Sequence, residues 1–134
     1  MMHEKHVTVR FCETDALGHV NNTSYFIYLE DARIEFFKSL GYKMKANKWN
    51  FILASTKCDF LNQGYFNQDL KITTLVTKIG TKSFHLMHDI QCAQTGQQIA
   101  KGNEVIVYFD FEEQISKQIP LELAKSLEEH LSLV

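Results

Sequence analysis

Thr23-Ser24-Tyr25-Phe26-Ile27-Tyr28-Leu29-Glu30-Asp31-Ala32-Arg33-Ile34-Glu35-Phe36-Phe37-Lys38-Ser39-Leu40 is the stretch that decides the fold. Tyr25, Leu29, Ala32, Phe36 and Leu40 recur at helical spacing, with Phe26, Arg33 and Phe37 beside them. Gly41 follows, a residue suited to the left-handed conformation after a helix end. Asn22 or Thr23 can cap the start with a short polar side chain. At about 1.5 Å per residue this predicts a rod of roughly 27 Å. Ile27, Tyr28 and Ile34 widen its apolar surface beyond one stripe, so the helix is expected to be wrapped by other elements.

The flanking segments supply the wrapping. His6–Cys12 reads as a first strand, with Val7, Val9 and Phe11 alternating against His6, Thr8 and Arg10. Past the helix, 51–61, 70–79, 83–93 and 99–111 read as strands rich in β-branched and apolar residues. In the third of these, Phe84, Leu86, His88, Ile90 and Cys92 share one parity; in the last, Val105, Val107, Phe109 and Phe111 do. Gly64, Gly80 and Gly96 fall between strands, and Gln94-Thr95-Gly96-Gln97 fits a hairpin. Pro120 opens a terminal helix at its first position, with Leu121, Ala124, Leu127 and Leu131 as the buried stripe. The expected architecture is α+β: a long antiparallel sheet wrapped around a central helix, forming one domain over residues 1–134. Its unpaired edges predict association into a homodimer or homotetramer.

Composition narrows the function. The chain has 134 residues, 45% of them hydrophobic and 12% aromatic, ample for a core. A formal net charge of -2 with dispersed lysines carries no basic face for nucleic acid and no cationic helix for a membrane surface. No run approaches the roughly 20 apolar residues of a membrane span. Cys12, Cys58 and Cys92 are odd in number and form no CxxC pair, and the amino end shows no apolar leader core. A reduced, cytoplasmic protein is expected.

Asp15 lies between a strand end and a helix start. By position it reads first as a turn or capping residue. A carboxylate there can also activate water or attack a carbonyl, while helix-start N–H groups stabilise an oxyanion. Val9-Arg10-Phe11-Cys12-Glu13-Thr14-Asp15-Ala16-Leu17-Gly18-His19-Val20-Asn21-Asn22-Thr23-Ser24-Tyr25, followed by Glu30-Asp31-Ala32-Arg33, resembles the acyl-CoA thioesterases of the 4-hydroxybenzoyl-CoA thioesterase-like hotdog family. The resemblance implies the hotdog fold, thioester hydrolysis without metal or other cofactor, and a site built from two subunits. It further implies that Asp15 is nucleophile or general base and that the backbone N–H near Asn22 polarises the thioester carbonyl. Plant-type acyl-carrier-protein thioesterases have a similar stretch in which a histidine and an asparagine assist the aspartate; His19 matches the first, whereas Leu17 stands where the second would be.

The remaining candidates divide between chemistry and structure. Tyr25 fits an acyl pocket or simply the core. Lys82 and Ser83, in Lys78-Ile79-Gly80-Thr81-Lys82-Ser83-Phe84, fit a turn that meets CoA phosphates or an ordinary solvated hairpin; Lys43, Lys45 and Lys48 form a weaker cluster. Glu30 and Arg33 read as a helix-surface pair, Cys12 and His19 poorly as a thiol site, and His85 and His88 as residues on opposite strand faces, unsuited to a shared metal. The expected function is hydrolysis of a fatty acyl-CoA. The alternatives are an acyl-carrier-protein thioesterase and a non-catalytic acyl-CoA-binding protein.

Overall fold

The computed structural model describes residues 2–42 and 49–132, so Lys43, Lys45 and Lys48 lie outside the described residues. Strand β1 (His3–Thr8) leads through a short 3₁₀ turn (Phe11–Glu13) to helix α1 (Asn22–Ser39). Strands β2 (Phe51–Phe60), β3 (Asp69–Ile79), β4 (Ser83–Cys92) and β5 (Gln98–Asp110) follow, then the two-residue β6 (Ile115–Ser116) and helix α2 (Leu121–Glu128). The sheet runs β1-β3-β4-β5-β2, antiparallel at every pairing, with β6 paired to β5. This is the expected hotdog arrangement.

Helix α1 is held where the periodicity places it, and Tyr25, Leu29, Ala32, Phe36 and Phe37 are all buried. Leu29 packs directly onto β5 because Gly102 there has no side chain: a Cβ would stand 2.7 Å from both Leu29 methyls. Gly41 adopts φ +96° after the helix, the left-handed conformation its position predicts. The cap is Asn21, not Asn22 or Thr23; its Oδ1 accepts from the Thr23 N–H at 3.1 Å. Phe26 and Ile27 stay exposed, because the sheet wraps one side of the helix and leaves the other open.

The core has two apolar clusters. One gathers Val9, Val20, Tyr25, Tyr28, Leu29 and Ile72 with their neighbours; the other gathers Phe36, Phe37, Phe51, Phe84 and Leu86 under Leu123 and Leu127 of α2. Between them in the order of the strands lies a buried polar belt. His88 bridges Thr74 Oγ1 and Glu104 Oε1, at 2.7 Å each. Glu104 Oε2 accepts from Arg33 at 2.6 Å and from Thr56 at 3.2 Å. Arg33 is therefore mainly a core residue. Its contact with Glu30 is 3.8 Å, and the expected surface pair is the minor part of its bonding.

Several boundary expectations need correction. The first strand spans His3–Thr8, and Phe11 is 71% exposed rather than inward-facing. The 3₁₀ turn breaks the alternation, and Phe11 packs edge-on against Phe66 instead. In β5 the helix-facing parity is Gly102, Glu104 and Ile106, so Val105, Val107 and Phe109 line the outer face of the sheet. Pro120 is the cap of α2 rather than its first residue. Leu123 and Leu127 make the buried stripe, while Leu121 is exposed.

Candidate active site

The residues between β1 and α1 fold into a tight hairpin. Thr14 pairs with Val20, the Asp15 N–H donates to the His19 carbonyl at 2.7 Å, and the Gly18 N–H donates to the Asp15 carbonyl at 3.1 Å. Gly18 takes φ +79° to turn the chain, a conformation that favours glycine. Asp15 Oδ1 accepts from the Leu17 N–H at 2.8 Å and the His19 N–H at 3.1 Å. These are the local side-chain-to-backbone bonds that short acidic residues make in turns. They also orient the carboxylate, and among the described residues no protein donor reaches Oδ2. Asp15 is exposed in the single chain.

The start of α1 abuts this hairpin. The Asn21 N–H donates to the Glu13 carbonyl, joining the two legs, and the Val20 N–H donates to the Gly64 carbonyl, tying the second leg to the loop after β2. In the first helical turn, Thr23 N–H is used by the Asn21 side chain and Ser24 N–H by the Asn21 carbonyl. That leaves the Asn22 N–H without a protein acceptor among the described residues. Such a donor, backed by the helix dipole, suits a developing negative charge. Next to it opens a cavity of about 320 Å³ lined by Val20, Asn22, Tyr25, Phe60, Leu61, Asn62 and Gln63.

Tyr25 is both things the sequence allowed: 3% exposed, hence core, and part of that cavity wall. Burial pushes its phenol above the ordinary value, so it is a neutral hydroxyl. Its oxygen lies where a Cβ on Gly64 would approach to 2.9 Å, so the loop after β2 must carry glycine to close over it. The His19 ring packs edge-on against Tyr65 at 5.2 Å.

A model of the thioesterase-like superfamily matches residues 9–127. The chain belongs to that family. Thioesterase relatives agree over the full fold: a predicted thioesterase from Bacillus stearothermophilus is 30% identical, with a TM-score of 0.93 over 100% of this chain and 99% of that one. The BH1999 gentisyl-coenzyme A thioesterase is 27% identical, with a TM-score of 0.82 over 91% and 99%. The uncharacterized protein YsmA of Bacillus subtilis is 39% identical over 80 residues, 60% of this chain. The matched segments span about half the length of the curated relatives, 54% for YsmA and 52% for a putative esterase of Aquifex aeolicus.

Within this thioesterase-family fold, Asp15, His19, Asn22 and Tyr25 fall on one hairpin and the helix it feeds. Lys82 and Ser83 do not join them. They occupy the β3–β4 turn, where the Gly80 N–H donates to the Ser83 carbonyl and the Tyr108 N–H to the Lys82 carbonyl. The Asp15 hairpin adjoins the other end of β3, where Val9 N–H bonds Gln68. The eleven residues of β3 separate the two ends by about 33 Å.

Phe60, Leu61, Asn62 and Gln63 were not candidates from sequence; they reach the cavity only because β2 ends beside the helix start. Glu13 was also missed. It is a buried carboxylate, 8% exposed, bonded to Arg10 and Tyr28. An acidic residue two positions before the motif aspartate, with Ser24 and Tyr28 one helical turn apart, was the available signal. Among the described residues no cluster of three or more His, Cys, Asp or Glu is placed to hold a metal, and no helix is long and apolar enough to cross a membrane.

Proposed function

We propose that the protein is an acyl-CoA thioesterase, hydrolysing a fatty acyl-CoA to free acid and CoA in the cytoplasm. Family membership supports thioester hydrolysis, and the gentisyl-coenzyme A relative supports CoA as the carrier. The observation that carries the residue assignment is the junction of hairpin and helix. There a carboxylate is oriented through one oxygen, and among the described residues neither its other oxygen nor the Asn22 N–H at the start of α1 has a protein partner.

In this reading Asp15 Oδ2 takes a proton from water as the water oxygen attacks the thioester carbon. The carbonyl electrons move to oxygen, and the Asn22 N–H stabilises the resulting charge. Collapse of the tetrahedral intermediate breaks the C–S bond, and the thiolate leaves to be reprotonated. Direct attack by Asp15, with a mixed anhydride then hydrolysed, is the other route open to this carboxylate. His19, beside Asp15 on the hairpin, assists by holding it through its backbone N–H. The acyl group occupies the recess walled by Tyr25 and Phe60.

Asp15 does not line that recess and is exposed in one chain. We therefore assign a homodimer or homotetramer in which a second copy closes the site. Among the described residues strand β2 forms one edge of the sheet, its Leu53 and Phe60 are exposed, and the exposed Phe26 packs edge-on against Phe60. The separation along β3 means that Lys82 and Ser83 can meet CoA at this site only as residues of another copy. The 134 residues act in this reading as one catalytic domain.

A second reading, an aromatic acyl-CoA substrate, is favoured by the gentisyl-coenzyme A relative and by the aromatic walls of the recess. Thiol release from short- to long-chain fatty acyl-CoAs, benzoyl-CoA and an acylated carrier protein tests these readings. Highest kcat/KM on a fatty acyl-CoA supports the proposal. Preference for benzoyl-CoA replaces the acyl class, preference for the carrier protein replaces the carrier, and tight binding without turnover leaves an acyl-CoA-binding protein.

A further inference from the structure

Glu13 is bonded at both of its ends. Its backbone carbonyl accepts from the Ser24 hydroxyl and from the Asn21 N–H, each at 2.9 Å. Its carboxylate Oε1 accepts from the Arg10 N–H at 2.8 Å and the Tyr28 hydroxyl at 3.0 Å. Oε2 accepts from the Arg10 guanidinium at 3.1 and 3.3 Å. A buried carboxylate costs free energy unless donors satisfy it, and here they do. Burial alone would raise its pKa, but the bonds from Arg10 and Tyr28 outweigh that and hold it below the ordinary carboxylate value.

The placement of these partners gives the residue its role. Ser24 and Tyr28 stand one turn apart on the same face of α1. Asn21 caps that helix and immediately precedes Asn22, the residue with the unspent N–H. Asp15 follows Glu13 by two residues, on the hairpin whose first leg Glu13 begins. The carboxylate that attacks or activates water and the N–H that receives the charge thus belong to two separate elements. Glu13 bonds one to the other.

We infer that Glu13 is a positioning residue, fixing the separation between the Asp15 carboxylate and the Asn22 N–H. This rests on the proposed roles of Asp15 and Asn22. It assigns Glu13 no contact with substrate. Arg10 and Tyr28 hold Glu13 in place in turn, and burial, reinforced by the bond to Glu13, pushes the Tyr28 phenol well above its ordinary value, keeping it a donor.

The test uses the full chain with the preferred thioester from the panel, comparing Glu13→Ala, Glu13→Gln, Ser24→Ala and Tyr28→Phe. A misplacement on the order of 1 Å costs about a hundredfold in rate. Glu13→Ala should therefore lower kcat about ten- to a hundredfold with KM within about threefold. Glu13→Gln keeps an oxygen that can accept both Oε1 bonds and should restore kcat to within about fivefold. The milder Ser24→Ala and Tyr28→Phe, each deleting one hydroxyl, should lower kcat in the same pattern if Glu13→Ala does not fold.

Hydrogen exchange gives a readout independent of turnover. Glu13→Ala, or Tyr28→Phe in its place, should speed exchange of the Leu17 and His19 amides about tenfold while β4 and β5 amides keep their protection. Unchanged kcat and unchanged exchange in these variants would overturn the inference, as would loss of protection throughout the chain, which marks a general fold contact. If the native protein releases no thiol from any substrate, the functional reading fails instead, and exchange at Leu17 and His19 still decides whether Glu13 fixes the hairpin.

Discussion

Replacing Arg33 by methionine should unfold the protein far more readily than any change at the surface of the same helix. Methionine retains much of the side chain's volume but removes the cation that Glu104 Oε2 meets at 2.6 Å. The Glu104 side chain is fully buried and that of Arg33 is 12% exposed, so the pair is largely shielded from solvent. The remaining donors are Thr56 at 3.2 Å and His88 at 2.7 Å. Breaking a buried pair by removing one partner costs about 3–5 kcal/mol, because a charge is left uncompensated. For a chain of 134 residues this corresponds to a fall in melting temperature of roughly 10–20 °C. Circular dichroism melts and urea titrations at one fixed protein concentration measure it, since association shifts apparent stability. Adding Glu104→Gln should recover a large part of the loss by removing the orphaned charge. A single-variant loss below about 1 kcal/mol, the range of an exposed pair, would refute the buried-belt argument.

Three further outcomes follow from the packing and the hairpin. Gly102→Ala should destabilise by about 1–3 kcal/mol in urea titrations, because its Cβ would meet two Leu29 methyls at 2.7 Å in a fully buried site; no measurable loss would show that α1 can lift from β5 freely. The depressed pKa of Glu13 contributes stability that is present above its unfolded value near 4.5 and lost as pH falls through the lower folded value. Urea midpoints should therefore drop below about pH 4.5 less steeply in Glu13→Gln than in the native chain, and parallel slopes would contradict this. Cys12→Ser should leave kcat/KM unchanged, since Cys12 lies exposed on the 3₁₀ turn; a loss of more than tenfold would revive thiol chemistry.

What could be read from the residues follows a physical division. Helix α1 and strand β4 were legible because each has one buried face, and burial writes its period into the sequence: Tyr25, Leu29, Ala32 and Phe36 on the one, Phe84, Leu86, Ile90 and Cys92 on the other. Strand β5 has apolar residues on both faces, so Val105 and Val107 gave no sign that they face outward. Phe11 and Leu121 mislead because they stand at element boundaries, where a turn or cap changes the direction of the side chain. His88 did sit on the inward parity, but its partners depend on the β4–β5 register and on Arg33, which is 71 residues from Glu104. The site shows the same division. Asp15, Asn22 and the hairpin are local, and their spacing is visible in one stretch. Phe60 to Gln63 arrive from a distant strand end, and nothing near the motif announces them.

The central claim concerns one carboxylate. Release of free CoA by the native protein and by Asp15→Asn, at matched concentration on the best acyl-CoA, tests it most directly. Asparagine can keep the Oδ1 bonds to Leu17 and His19 while losing the basic oxygen. The account predicts a fall in kcat of about a hundred- to ten-thousandfold with the fold and melting temperature retained. Native-level turnover by a folded Asp15→Asn protein would contradict it.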